Sequence, residues 1–245
     1  MTLEGRTFVI TRPVRDAGEL AEKLRALGAN VVEAPAIEIV ELEDTTELDR
    51  AIRQLAAGEF AWVSFTSPRA VDAVCAALKR FGLPPRIPAK IAAVGPATAK
   101  KLVGAGLEVD LLAEPHTTEA LADAFPAGEG RVLLPRADIA PEGLEDRLRE
   151  KGWTPVRVDA YATRYPHELP DEARAALEAD PDAVVFTSSS TVEGFVRLLG
   201  TRFGLPAVCI GPVTAEAARR AGFSVKAVAD PHSVDGLVAA LDNLF

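Results

Sequence analysis

The sequence is poor in aromatic residues, in sulfur and in positive charge. Phe, Trp and Tyr make up only 6% of its 245 residues, which argues against the base-stacking surface of a single-strand binder. Lys and Arg number 27 against 36 Asp and Glu, a formal charge of −9. A general nucleic-acid binder needs a basic stripe to meet phosphates, so that class is set aside. An anionic small ligand stays compatible, provided that local donors work against the overall field. Cysteine occurs twice, at Cys75 and Cys209, without a CxxC spacing or nearby histidines. Neither a metal site nor a disulfide framework is expected, and both thiols read as reduced, buried core residues. No uncharged apolar run approaches the roughly 18 residues of a membrane span. The opening MTLEGRTFVITRP carries Glu4, Arg6 and Arg12, unlike a signal peptide or anchor. The expectation is a cytoplasmic protein.

Conventional catalytic signatures are missing as well. There is no GxSxG elbow, P-loop, HExxH or dinucleotide GxGxxG. The TSSS run at 187–190 has no paired histidine, and His116, His167 and His232 are scattered. His116 and His232 sit in a repeated Pro-His loop, read as a turn leading into a helix.

What the chain does have is a duplication. Residues 94–116, VGPATAKKLVGAGLEVDLLAEPH, match 210–232, IGPVTAEAARRAGFSVKAVADPH, without a gap. RTFVITRPVRDAGELAEKLRALGANVV (6–32) matches GRVLLPRADIAPEGLEDRLREKGWTPV (130–156), and FTSPRAVDAVCAALKRFGLP (65–84) matches FTSSSTVEGFVRLLGTRFGLP (186–206) with one residue inserted. Two copies of a long block are a duplication, whereas a solenoid needs at least about three short units.

Within the first block short β-rich runs alternate with helical patterns. TFVIT (7–11), NVVEAPAIEIVEL (30–42), AWVSFTS (61–67), KIAAVG (90–95) and EVDLLA (108–113) read as strands. DAGELAEKLRALG (16–28), PRAVDAVCAALKRFG (68–82), ATAKKLVGAG (97–106) and TTEALADAF (117–125) read as helices. This alternation predicts an α/β fold with parallel sheets covered on both faces. Gly28, Gly106, Gly152 and Gly222 fit the position just past a helix end. Two similar lobes follow from the duplication. AIEIVEL (36–42) and RVDAYATRY (157–165) occupy equivalent places and are compatible with two strands that cross between lobes, an arrangement the residues permit without requiring.

In open α/β sheets, ligands bind beyond the carboxyl ends of the strands, where helix N-termini present unpaired amides. Thr66-Ser67, Gly95-Pro96-Ala97-Thr98, Thr187-Ser188-Ser189-Ser190 and Gly211-Pro212-Val213-Thr214 fall there, and such hydroxyls and amides suit carboxylates or phosphates. Each also has a structural reading. Ser67 before Pro68 is a good N-cap, and Ser190 with Glu193 has the spacing of a capping box. Arg12, Arg69 and Arg136 are expected just after strands, near helix starts where the dipole disfavours a cation by up to about 1 kcal/mol. A shared anionic ligand explains all three. Tyr161 is either a core aromatic or a phenol placed to donate a proton to a leaving group.

The ordered set TRP (11–13), FTSPRAV (65–71), AVGPATA (93–99), LLPRADIAPEGL (133–144), VDAYATR (158–164), FTSSSTV (186–192) and IGPVTAEAARRAGFSV (210–225) resembles the uroporphyrinogen-III synthase family along essentially the whole chain. The resemblance implies two α/β lobes joined by a two-stranded β-ladder with a cleft between them. It assigns residues 1–36 and 166–245 to one lobe and 37–165 to the other. It further implies a monomeric, cofactor-free lyase of tetrapyrrole (heme) biosynthesis, with hydroxymethylbilane as its partner and neither nucleic acid nor membrane involved. By resemblance Tyr161 matches a tyrosine proposed to assist loss of hydroxide, and Ser67, Arg69, Thr98, Ser188 and Thr214 match cleft-lining positions. Arg12 and Arg136 come from the dipole argument, and Thr66, Thr187 and Ser189 from the strand-end hydroxyl motifs. The competing reading is a non-catalytic bilobal module that binds an anionic tetrapyrrole or other polyacid. No DNA-binding region is expected after Phe245.

Overall fold

The computed structural model describes residues 3–84, 86–200 and 204–245. The opening Met1-Thr2 and the 201–203 part of the second FTS repeat lie outside them. Along the chain run β1 (Thr7–Ile10), α1 (Val14–Ala26), β2 (Asn30–Glu33), β3 (Glu38–Val40), α2 (Thr46–Ala56), β4 (Trp62–Phe65) and α3 (Pro68–Arg80). Next come β5 (Lys90–Ala93), α4 (Pro96–Gly104), β6 (Leu111–Leu112), α5 (Thr118–Ala124), β7 (Arg131–Ala137), α6 (Gly143–Glu150) and β8 (Thr154–Arg164). The remainder is α7 (Asp171–Glu178), β9 (Ala183–Phe186), α8 (Ser189–Leu199), β10 (Pro206–Cys209), α9 (Pro212–Arg220), β11 (Ser224–Val228) and α10 (Val234–Leu244).

The chain divides into two compact units, Met1–Ile39 with Arg164–Phe245, and Val40–Thr163. We call them the terminal and the central unit. The division falls inside β3 and β8. Among the described residues the terminal unit carries a sheet of order β11-β10-β9-β1-β2, and the other sheet has the order β3-β8-β7-β4-β5-β6. The pairings β1 with β2 and β9, and β4 with β5 and β7, are parallel, as strand–helix alternation predicts.

Both faces of each sheet are buried, which is why the strands read as short unbroken apolar runs. In β1, Phe8 and Ile10 join one core cluster while Val9 joins another. In β7, Leu133 packs with Val63, Phe65 and Val74, whereas Val132 and Leu134 pack with Leu144 and Leu148. The repeated sequences adopt the same local backbone. Gly95 and Gly211 precede their helices at φ −170° and −166°, each followed by proline at the first helical position. Gly28, Gly106, Gly152 and Gly222 all have φ between +79° and +92°. At Gly152 the demand is twofold, since a Cβ there would also lie 2.5 Å from the Gly128 carbonyl oxygen.

Three local expectations are corrected. EVDLLA forms a strand only at Leu111–Leu112, because the Asp110 carboxylate itself accepts the Ile91 amide at 2.8 Å. The capping box of α8 is Ser188 with Thr191, not Ser190 with Glu193, since the helix starts earlier, directly after the extended Ser188. Cys75 is only half-buried, whereas Cys209 is fully buried. Burial pushes the Cys209 thiol up to about 12 and raises that of Cys75 as well. At neutral pH we therefore expect Cys209 to resist alkylation in the native protein and Cys75 to react slowly, with both labelled after denaturation. Mass spectrometry reads this directly, and rapid native labelling of Cys209 contradicts it.

Candidate functional site

The central unit brings several expected residues to the carboxyl end of its sheet. β4 ends at Phe65, leaving Thr66 and Ser67 on the connection to α3. Ser67 is extended, at φ −158°, and its hydroxyl accepts the Ala70 amide at 3.2 Å, with Pro68 at the first helical position. The same oxygen accepts a second hydrogen bond, from the Tyr161 phenol at 3.1 Å. Its own proton is left to donate elsewhere. The N-cap reading of Ser67 holds, and the atom that caps α3 also meets the Tyr161 phenol.

Tyr161 owes this geometry to an irregularity in β8. Arg136 pairs with Asp159 but the next residue, Ala137, pairs with Tyr161, so Ala160 is the extra residue of a bulge. A regular strand alternates its side chains between faces, and one inserted residue reverses the alternation. Val158, Ala160 and Tyr161 consequently all pack against the same cluster, the one containing Val63, Phe65 and Val74.

The phenol's electrostatics favour the protonated form. Burial raises its pKa above 10.0; the Ser67 hydrogen bond and the charges of Arg136 and Arg69 pull it down, and Asp138 pushes it up. With burial the largest influence, the group is a proton donor at neutral pH rather than a base.

Arg69 occupies the second position of α3, half-buried. Arg136 departs from expectation. It lies inside β7 rather than after it, is 3% exposed, and its Nη1 donates to both Glu145 oxygens at 3.0 and 2.9 Å and to the Pro141 carbonyl at 2.7 Å. The helix-dipole argument therefore does not apply to it, because Glu145 in the first turn of α6 already balances its charge. Thr98 sits in the first turn of α4 and is only 2% exposed.

In the terminal unit Arg12 follows β1, half-buried, and Thr187 follows β9. Ser188 caps α8, its hydroxyl accepting the Thr191 amide at 3.2 Å and bonding the Ser190 hydroxyl at 2.8 Å. Ser189 is exposed. Thr214 occupies in α9 the place of Thr98 in α4, and is 5% exposed. Both threonines are thus buried. The Pro-His loops lead into helices as read, with Thr117 capping α5 and Ser233 capping α10.

Sequence reasoning missed Glu145, Asp138 and Arg157. The last two bond the loop after β7, a long-range arrangement with no spacing signature. A cavity of about 690 Å³ in the terminal unit, lined among others by Thr7, Asn30, Asp180 and Asp182, lies at the amino ends of β1, β2 and β9. None of the expected site residues lines it. Among the described residues no His, Cys, Asp and Glu cluster could hold a metal ion, and no helix is long and apolar enough to cross a membrane.

Comparison with known proteins identifies the family. The family model for uroporphyrinogen-III synthase HemD matches residues 18–239. A uroporphyrinogen-III synthase of Synechococcus elongatus is 33% identical, over 98% of this chain and 96% of its own length. A porphyrin biosynthesis protein HemD of Ruminiclostridium josui is 34% identical over 98% of this chain but only 48% of that longer protein. Among solved structures, a mutant uroporphyrinogen III synthase from Thermus thermophilus superposes with TM-score 0.71 over 98% of both chains at 22% identity. The enzyme of Helicobacter pylori gives 0.63 over 98% of this chain and all of its own, at 20% identity. At such identities the structures speak for the fold, and the sequence matches speak for the family. The chain belongs to the uroporphyrinogen-III synthase family.

Proposed function

We propose that the protein converts hydroxymethylbilane to uroporphyrinogen III, acting as a monomer in the cytoplasm, without a cofactor, and that Tyr161 is its proton donor. The observation that carries the role of Tyr161 is the phenol itself: half-buried, protonated at neutral pH, and hydrogen-bonded at 3.1 Å to the Ser67 hydroxyl at a sheet's carboxyl end.

The chemistry asks little of a nucleophile. The terminal hydroxymethyl carbon of the bilane loses its hydroxyl as water when a proton is supplied and the adjacent pyrrole nitrogen pushes electrons outward. Ring D then attacks the resulting azafulvene through its substituted carbon. The spiro intermediate fragments and recloses with ring D inverted, and the proton shed on rearomatisation balances the one donated. Because the bilane also cyclises unaided without inversion, the protein's main task is to hold one conformer. Tyr161 supplies the proton to the departing hydroxyl, a role for which a neutral phenol is suited.

The eight carboxylates of the substrate need many donors rather than one strong one. We assign to them Arg69, Thr66 and Ser67 of the central unit, and Arg12, Thr187, Ser188 and Ser189 of the terminal unit. Amides at the N-termini of α3, α4, α8 and α9 add to these. Thr98 and Thr214 act from within, each in the first turn of its helix. Arg136 serves as a buried charge beside the phenol.

The direct test is to supply fresh hydroxymethylbilane and resolve the product isomers. Type III product formed faster than the unaided reaction is expected. Only type I product, at the unaided rate, rejects the reading, and tight binding of the bilane with that outcome would favour a non-catalytic binding module.

A further inference from the structure

The loop that joins β7 to α6 is bonded far more heavily than a surface connection requires. Arg157, on β8, donates from Nη1 to the Ala140 carbonyl at 2.7 Å, and from Nη2 to those of Ala137 and Asp138 at 3.1 and 2.9 Å. Arg136 takes the Pro141 carbonyl. Four carbonyls in five residues thus bind guanidinium groups, and such charge-assisted bonds hold a single conformation more firmly than water does.

The loop is tied in turn to Tyr161. The Asp138 amide donates to the Tyr161 carbonyl at 3.2 Å, while the Asp138 Oδ1 accepts the Thr163 amide at 2.9 Å and the Ile139 amide at 3.0 Å. Tyr161 is therefore gripped on its own carbonyl and again two residues onward, directly after the bulge at Ala160. Removing the bulge would restore alternation and carry the phenol to the other face of the sheet, away from Ser67.

We propose that Arg157 and Asp138 are positioning residues that lock the β8 bulge and thereby aim the Tyr161 phenol at Ser67. The inference rests on the role given to Tyr161 above, but its physical content, the orientation of that side chain, can be read separately.

The chain contains two tyrosines, so in a Tyr165→Phe background ultraviolet titration reports Tyr161 alone. Arg157→Met is the principal variant, with Asp138→Ala as a second and Arg157→Lys as the conservative one. We expect Arg157→Met to lower kcat about ten- to a hundredfold, as small misplacements of a reacting group do, with KM changed less than about threefold. We also expect the phenol to titrate closer to 10.0, its ordinary value. Loss of a cation by itself can only raise a phenol's pKa, so a fall toward 10.0 reports lost burial. Arg157→Lys should fall between wild type and Arg157→Met in both measurements.

If circular dichroism shows Arg157→Met unfolded, Arg157→Lys carries the same comparison, and Asp138→Ala is read by kcat and KM alone, because loss of its charge by itself lowers the phenol's pKa. Wild-type kcat with wild-type titration overturns the proposal, and so does lost activity with the phenol's titration unmoved. A shifted titration in Arg157→Met, combined with full activity in Tyr161→Phe, sustains the positioning of the side chain and removes its catalytic role. The two failures are thus distinguishable.

Discussion

Tyr161→Phe lowers the turnover of hydroxymethylbilane roughly ten- to a thousandfold, a range that reaches into the roughly hundred- to ten-thousandfold a positioned acid typically supplies, while the protein stays folded. Phenylalanine keeps the ring that packs against the Val63, Phe65 and Val74 cluster, and the backbone grip on residue 161 does not involve the hydroxyl. Ser67 loses one donor but still caps α3 through the Ala70 amide, so the stability cost is that of one hydrogen bond, about 1 kcal/mol. The effect should fall on kcat rather than KM, because the phenol acts on the leaving hydroxyl and not on the carboxylates. In the parent enzyme the phenol's raised pKa keeps it protonated through neutral and mildly alkaline pH. If its proton is required, activity falls only as pH rises past the ordinary phenol value of 10.0. Isomer-resolved turnover across pH measures both effects. Unchanged turnover in Tyr161→Phe means that the phenol is dispensable and that positioning alone accounts for catalysis.

Gly194→Ala is expected to be among the most damaging single-methyl additions for stability, together with Gly236→Ala, whose Cβ would stand 1.8 Å from the Pro231 carbonyl oxygen. Gly194 lies in α8, and a Cβ there would stand 2.0 Å from the Ala36 carbonyl oxygen and 3.1 Å from the Tyr165 ring. The backbone oxygen cannot rotate away as a flexible side chain would, so either α8 or the segment after β2 must shift. Overpacking of this kind costs about 3 kcal/mol or more, a fall in melting temperature of roughly 6–12 °C for a chain of this size. Gly18→Ala is the matching control, since its Cβ would meet nothing within 4 Å. Within α1 alanine should gain about 0.5–1 kcal/mol from helix propensity. Thermal melts of the two variants side by side decide the matter, and equal melting temperatures would show that α8 yields without cost.

Strand and helix order, the helix-ending glycines, the proline-initiated helices and the Ser67 cap were readable because each depends on residues within about one turn of each other. The helix α2 went unread although its signal is present: Leu48, Ala51, Ile52 and Leu55 follow the spacing of one buried helical face and are all buried. The fate of Arg136 was not readable. Placing it after the strand rather than inside it reverses its meaning, from a cation offered to a ligand to a cation consumed by Glu145. Cys75 was misjudged for a related reason, since an apolar helix can still leave one flank half open.

The sequence by itself determined the duplication, the α/β class, the helix starts that offer amides, and the family, because these are carried by local spacing and by residue order. Only the tertiary structure decided where the hydroxyls and charges lie and what they bond. The Ala160 bulge turns Tyr161 toward Ser67, Arg157 and Asp138 hold the loop that stabilises it, and Thr98 and Thr214 are buried. Those choices depend on register between strands and on hydrogen bonds from one strand or loop to the next, and strand register leaves no periodic trace in the order of residues.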